Sequence, residues 1–232
     1  LYPSHASQAE PRLCEAAELA QTDATYWLDC GRARMVTGDL AAALKAFKIA
    51  YGEATSGDAK ERIAYALTAI GDVRFDQGNL AAALVAYKDA LAIVRDLAAL
   101  EPRNATWIRD VSINQGRIGN VRAQQGNLAA ALTASENALA IARDLVARDP
   151  ENATLVRDVS IALERIVDVH SRQGDLAAAL TASEAALALS RDLAARDPAN
   201  TIWTYDLSVS HTNVGDVRIE QGDFAAALTA YE

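Results

Sequence analysis

Three histidines, two cysteines and scattered hydroxyls and carboxylates are the side chains of this 232-residue chain that could do chemistry. His5, His170 and His211 lie far apart, and none has a second ligand at the spacing that zinc sites use. Cys14 and Cys30 cannot complete a four-ligand site. Neither a nucleophile–base pair nor a Gly-rich phosphate loop can be read, because the glycines stand where periodic segments end. The sequence is therefore expected to belong to a protein that is no enzyme and holds no cofactor and no metal. Asn104-Ala105-Thr106 and Asn152-Ala153-Thr154 match a glycosylation sequon, but both come from one repeated turn.

The cysteines leave two readings open. They lie eight residues either side of Thr22, within Gln21-Thr22-Asp23, which reads as a helix–helix turn. In an antiparallel hairpin such positions share a height, so a disulfide is geometrically accessible and would suit a periplasmic or secreted protein. Two small buried thiols in a reducing cytosol is the blander alternative. The default compartment is cytoplasmic.

What positions these residues is a repeat. Gly-Asp-Leu-Ala-Ala-Ala-Leu, with small variations, starts at Gly38, Gly78, Gly126, Gly174 and Gly222, spaced 40 residues apart and then 48. A fixed period of this size marks a stack of supersecondary units, each burying its apolar face only against its neighbours. In the unit from Asn104 to Arg148, Trp107, Val111, Ile118 and Val121 fall on one helical face, interrupted by Asn114. Gly126 suits the left-handed residue after a helix and Asn127 the cap of the next. Leu128, Ala131, Leu132, Ala138, Leu139 and Leu145 stripe the second helix, and Pro150 closes the unit. Helices are expected at 11–20, 23–37, 39–54, 59–77, 79–100, 105–125, 127–147, 153–173, 175–195, 201–221 and 223–232, with no strands. The expected division is a capping helix over 1–22 and units at 23–56, 57–102, 103–150, 151–198 and 199–232. Trp107, Leu155 and Trp203 share one register position and read as packing residues, as does His211 in the place of Trp27 and Leu67.

In register, the units resemble the tetratricopeptide repeat family. The second supplies Leu67, Ile70, Gly71, Gly78, Ala83, Tyr87 and Ala90; the first Trp27, Cys30, Gly31, Gly38, Ala43, Phe47 and Ala50. The third has Ile118, Gly119, Gly126, Ala131 and Ala138, and the fifth Val214, Gly215, Gly222, Ala227 and Tyr231. The fourth keeps Ile166, Gly174, Ala179 and Ala186 but has Val167 for the first Gly; Ser135 and Ser183 replace the aromatic. The unit is longer than the family's usual ~34 residues. Arg95, Arg143 and Arg191 replace the helix-ending Pro, so the second helix should run on to Pro102, Pro150 and Pro198. Arg34, Arg74, Arg122, His170 and Arg218 replace the first-helix aromatic. The resemblance implies an all-α fold: an α-solenoid, a right-handed superhelix of stacked antiparallel helix pairs. The long unit is similar to arrays attached to bacterial signalling ATPases and proteases, so a sensor or assembly arm of such an enzyme is the alternative function.

Repetition also separates scaffold from site. Residues kept in every unit serve stacking, whereas residues that change at one solvent-facing position are free for recognition or simply neutral. Arg95-Asp96, Arg143-Asp144, Arg191-Asp192, Asp110, Asp158 and Asp206 recur and read as ion pairs between units, worth ~0–1 kcal/mol each where exposed. The variable rows lie on the first helices, which line the concave face in the family. One row is Arg32, Asp72, Asn120, Asp168 and Asp216; a turn later stand Val36, Asp76, Gln124, Arg172 and Glu220. Met35, Phe75, Ala123, Ser171 and Ile219 flank the second row. The candidate peptide-binding set is Arg32, Asp72, Phe75, Asp76, Asn120, Gln124, Asp168, Arg172, Asp216 and Glu220.

Composition agrees with a partner-binding scaffold. Hydrophobic residues make up 51% of the chain and aromatics only 6%, so the apolar content is mostly the Ala and Leu of close-packed helices. A net charge of −9 opposes phosphate-backbone binding, and the partner is expected to be a protein or basic peptide rather than nucleic acid. No apolar run is long enough to span a bilayer, so no membrane partner is expected. The chain opens at Leu1 without Met and closes at Glu232 in mid-repeat, which reads as a cut from a longer parent. The apolar end thus exposed would favour self-association.

Overall fold

The computed structural model describes residues 3–20, 23–54 and 56–231, and it is helical throughout, with no strand among them. The helices are α1 (Pro3–Ala20), α2 (Ala24–Thr37), α3 (Leu40–Glu53), α4 (Gly57–Asp76), α5 (Leu80–Leu100) and α6 (Ala105–Gln124). They continue as α7 (Leu128–Arg148), α8 (Ala153–Gln173), α9 (Leu176–Arg196), α10 (Thr201–Glu220) and α11 (Phe224–Tyr231). Two compact units are distinguished, Leu1–Asn114 and Gln115–Glu232, with the division falling inside α6.

Within the first unit α1 packs on α2, α2 on α3, α3 on α4 and α4 on α5, and α2 also meets α4. The second repeats the pattern: α7 packs on α8, α8 on α9, α9 on α10 and α10 on α11, while α8 meets α10. Contacts run between consecutive helices and between the first helices of successive pairs, which is solenoid stacking built from local contacts.

The glycine heptapeptide sets each hairpin turn. Gly78 adopts φ 73° and Gly126 φ 77°, the left-handed conformation that closes a helix at no steric cost. Asn79 and Asn127 then cap the following helix by accepting from Ala82 N–H and Ala130 N–H, 3.2 Å each. Asp39, Asp175 and Asp223 do the same at 3.1 Å, each cap being worth about 1 kcal/mol.

In three of the helix pairs the governing contact is glycine against aromatic ring. A Cβ on Gly31 would lie 2.4 Å from Phe47, one on Gly71 2.4 Å from Tyr87, and one on Gly215 2.3 Å from Tyr231. Where the ring is replaced by Ser183, Val167 stands in the glycine's place and is buried. The volume thus moves from one helix to the other, as a close-packed interior requires.

The first helix differs from expectation: it begins at Pro3 and runs through Pro11, where the start was read at 11. Proline reads as a boundary because its nitrogen cannot donate, but one missing bond does not end a helix held laterally. The lateral hold is covalent. Cys14 and Cys30 form a disulfide, with Cα atoms 4.7 Å apart and 16 residues between them in sequence. Of the two readings left open, the structure adopts the disulfide over free thiols, and closing a loop of that length contributes about 3 kcal/mol. Arg34 Nε adds a 3.4 Å bond to Glu10 Oε1 on the same pair of helices. Residues 21 and 22 of the expected turn, and the His5 side chain, lie outside the described residues; Asp23 caps α2 by accepting from Thr25 N–H.

Gly71→Val should destabilise the chain by about 1–3 kcal/mol in urea unfolding, and adding Tyr87→Ser should recover much of it, giving a favourable coupling in the double-mutant cycle. Additive losses would mean that the ring and the glycine do not share one volume.

Candidate functional site

The rows on the first helices are built by helical spacing on the faces that the hairpins leave uncovered. In the first unit Arg32 and Val36 are exposed on α2, and Asp76 is exposed at the end of α4, with Asp72 and Phe75 half-buried. Asp72 is held by the second helix: Tyr87 Oη donates to its Oδ1 at 2.7 Å. The ring that packs on Gly71 therefore also aims the neighbouring carboxylate. Arg32 Nη1 stands 3.9 Å from Asp29 on its own helix.

In the second unit Asp216 repeats this arrangement, accepting from Tyr231 Oη at 2.6 Å, and this hydrogen bond raises the Tyr231 phenol pKa above the ordinary value. Glu220 and Ile219 are exposed beside it. Asp168 and Arg172 are exposed one turn apart on α8, their charged atoms 3.6 Å from each other. The pair offsets its own charge, leaving Asp216 and Glu220 as the uncompensated acids of these rows in the second unit. Asn120 is half-buried and Gln124 exposed, while Ala123 is buried in a small cluster with Ala131 and Val169. Ala123 therefore offers nothing to a partner, although its spacing matches Phe75.

The arginines that replace the family's first-helix aromatic have a structural task. Arg74, Arg122 and Arg218 each donate to the glutamine three residues on, Gln77, Gln125 and Gln221, at 3.3, 3.2 and 3.5 Å. Arg218 Nη2 also bonds Glu184 Oε1 at 3.1 Å. His170 takes the same position in α8, with Nδ1 buried and 3.9 Å from Asp175 Oδ2. His211 is half-buried, its Nδ1 donating to the Ala230 carbonyl at 2.8 Å, which is the packing role its register implied.

The recurrent charges divide in two. Asp206 joins successive helix pairs through Arg157, whose Nη2 lies 3.1 Å from Oδ1 while Nε holds the other oxygen. Asp144 and Asp192 instead pair along their own helices with Arg148 and Arg196. Asp96 accepts from Tyr51 Oη at 2.8 Å. The repeated Arg-Asp dipeptide thus serves its own helix at Asp144 and Asp192, where a side chain one turn away is the nearer partner, and joins successive helix pairs at Asp96.

Beside the Arg157–Asp206 pair lies a polar chain that the spacing did not disclose. Ser160 Oγ meets Ser190 Oγ at 3.0 Å, Ser190 meets Ser210 at 2.9 Å, and Ser210 donates to Glu164 Oε1 at 3.3 Å. Burial raises the Glu164 pKa, and the Asp206 charge adds to the effect. Arg165 is lowered by burial and by the Arg117 charge, and it fits because Gly116 leaves room: a Cβ there would sit 2.6 Å from its Nη1. Thr68, Glu164 and Thr212 hold the register position of Gly116, so this glycine is the one signal that could have exposed the cluster.

The described helices include none long and apolar enough to cross a membrane. No family model matches the sequence, and no curated protein matches it. Solved structures do match. BtubC (BKLC) from P. vanneervenii aligns at TM-score 0.66 and 17% identity over 98% of this chain and 86% of that one. The apo form of RapI aligns at TM-score 0.69 and 13% identity over 97% of this chain, which spans 57% of RapI. MamA gives TM-score 0.50 and 16% identity over 91% and 89%. The fold is a tetratricopeptide-like α-solenoid. At these identities the likeness is one of fold alone.

Glu164 gives a signed pH prediction. Its folded-state pKa is raised, so its stabilising contribution is complete below the ordinary carboxylate range and is lost as pH rises through the raised value. Glu164→Gln should therefore unfold at higher urea than the parent near pH ~7, with the difference closing towards pH ~4. A variant less stable than the parent at neutral pH would contradict this.

Proposed function

We propose that the chain is a non-catalytic protein-interaction scaffold of the tetratricopeptide repeat family, organised as the capping helix and five units read from the sequence. Its partner is a peptide or protein segment carrying Lys or Arg, which lies along the first-helix rows within each unit. The observation that carries the reading is the contrast between the two faces of each pair. The second helices repeat Ala, Leu and a capping Asp or Asn almost unchanged, whereas the exposed row on the first helices changes from unit to unit. Tyr87 and Tyr231 hold Asp72 and Asp216 in fixed directions, so part of the ordering cost of a charged contact is met before the partner arrives.

The rows supply Asp72, Asp76, Asp216 and Glu220 as acceptors for basic side chains, with Phe75 and Ile219 as apolar anchors. Arg32, Asn120, Gln124 and the Asp168–Arg172 pair set the polar surroundings. A net charge of −9 favours a basic partner and opposes nucleic acid. Phe224 and Leu228, 70% and 62% exposed on α11, support self-association as a second contact.

Titration against a labelled peptide library should yield saturable binding that favours Lys- or Arg-containing members and weakens with salt. Asp72→Lys combined with Asp168→Lys should weaken it at least tenfold. No saturable binding, or binding indifferent to the double substitution, would remove the scaffold reading of these rows.

A further inference from the structure

The second unit contains a cleft that the first-helix rows do not use. It has a volume of about 450 Å³, a floor of Val156, Val159 and Leu163 from α8, and walls that include Val146 of α7 and Leu189 of α9. Its floor is continuous with the apolar core formed by Leu139, Ala142, Val159 and Leu163. The size falls within the range of small-molecule sites. Leu163 and Asp168 are five residues apart, about 140° round the helix, so the cleft opens away from the row residues.

Arg143 stands at its rim and is the only charged residue that lines it. Among the described residues this guanidinium has neither an ion pair nor a hydrogen bond, and its neighbour Asp144 is taken by Arg148. Arg95 and Arg191 repeat the arginine, and most of the lining has an apolar counterpart elsewhere, Leu67 for Leu163, Val111 for Val159 and Ile141 for Leu189. At the register positions of Leu163 the chain has Trp27, Leu67, Gln115 and His211, and at those of Ala185, which also lines the cleft, it has Ile49, Asp89 and Asn137. The position of Ala185 is a changed one, and here it is small and apolar where the two preceding units carry Asp89 and Asn137.

We propose that this cleft binds a medium-chain aliphatic carboxylate, its chain on the α8 floor and its head group on Arg143. A short pocket walled by three helices takes one flexible chain, and an unpaired cation beside an otherwise apolar lining selects an anionic head.

Decanoate, titrated below its micellar concentration into the full chain by calorimetry, should bind with one-to-one stoichiometry. Octanoate should bind about tenfold more weakly, since each buried methylene is worth ~0.8 kcal/mol. Arg143→Gln should weaken decanoate about tenfold and leave decanol unchanged. Ala185→Asn, which places in α9 the residue that α7 carries as Asn137, should abolish binding while leaving the circular dichroism spectrum and unfolding midpoint close to the parent's. The Asp72→Lys, Asp168→Lys variant should bind decanoate as the parent does, which keeps this site separable from the peptide rows. Decanoate affinity indifferent to both Arg143→Gln and Ala185→Asn, or no saturable binding, would overturn the proposal. So would an acidic, Leu-containing peptide that occupies the cleft where decanoate does not.

Discussion

Three helix pairs in this chain come closer than two ordinary side chains allow, and in each an aromatic ring occupies the place where a Cβ would be. Phe47 over Gly31, Tyr87 over Gly71 and Tyr231 over Gly215 all meet this condition, with a hypothetical Cβ 2.3–2.4 Å from the ring. The rest of the architecture follows from it. A hairpin closed this tightly has one exposed face on each helix, and stacking the first helices of successive pairs uses part of that face. What remains uncovered is a row of side chains that the fold does not constrain. The tyrosine hydroxyls connect the two levels, since the rings that close the hairpins also direct Asp72 and Asp216.

Most of the helices were legible because the heptapeptide punctuates the chain. Gly at a left-handed position and Asp or Asn at the following cap fix the hairpin turns, and Pro102, Pro150 and Pro198 lie just beyond the ends of α5, α7 and α9. Pro11 misled because the same residue type inside a helix carries the same signal as one beyond its end. The Cys14–Cys30 bond was open as geometry, but sequence offers no means to tell a bonded pair from two buried thiols.

The rows were less legible than the fold. Helical spacing puts Ala123 and Phe75 at one register position, but only the packing of α7 and α8 shows Ala123 to be buried. Spacing also places Asp168 and Arg172 in an acidic row without revealing that they face each other. The serine chain, Glu164 and the Gly116–Arg165 fit depend on contacts between helices, and a lone glycine out of register was their single trace. The apolar cleft was invisible for a related reason. Val156, Val159 and Leu163 read as ordinary core, and only the separation of α7 from α9 leaves space above them.

Hydrogen exchange resolved by residue tests most directly the claim that stability here comes from neighbour-to-neighbour stacking. Within the second unit, α8 and α9, packed on both sides, should exchange slowest, and α11, which rests on α10, should exchange fastest by orders of magnitude. A single rate common to α8, α9, α10 and α11, the signature of one cooperative core, would contradict the account.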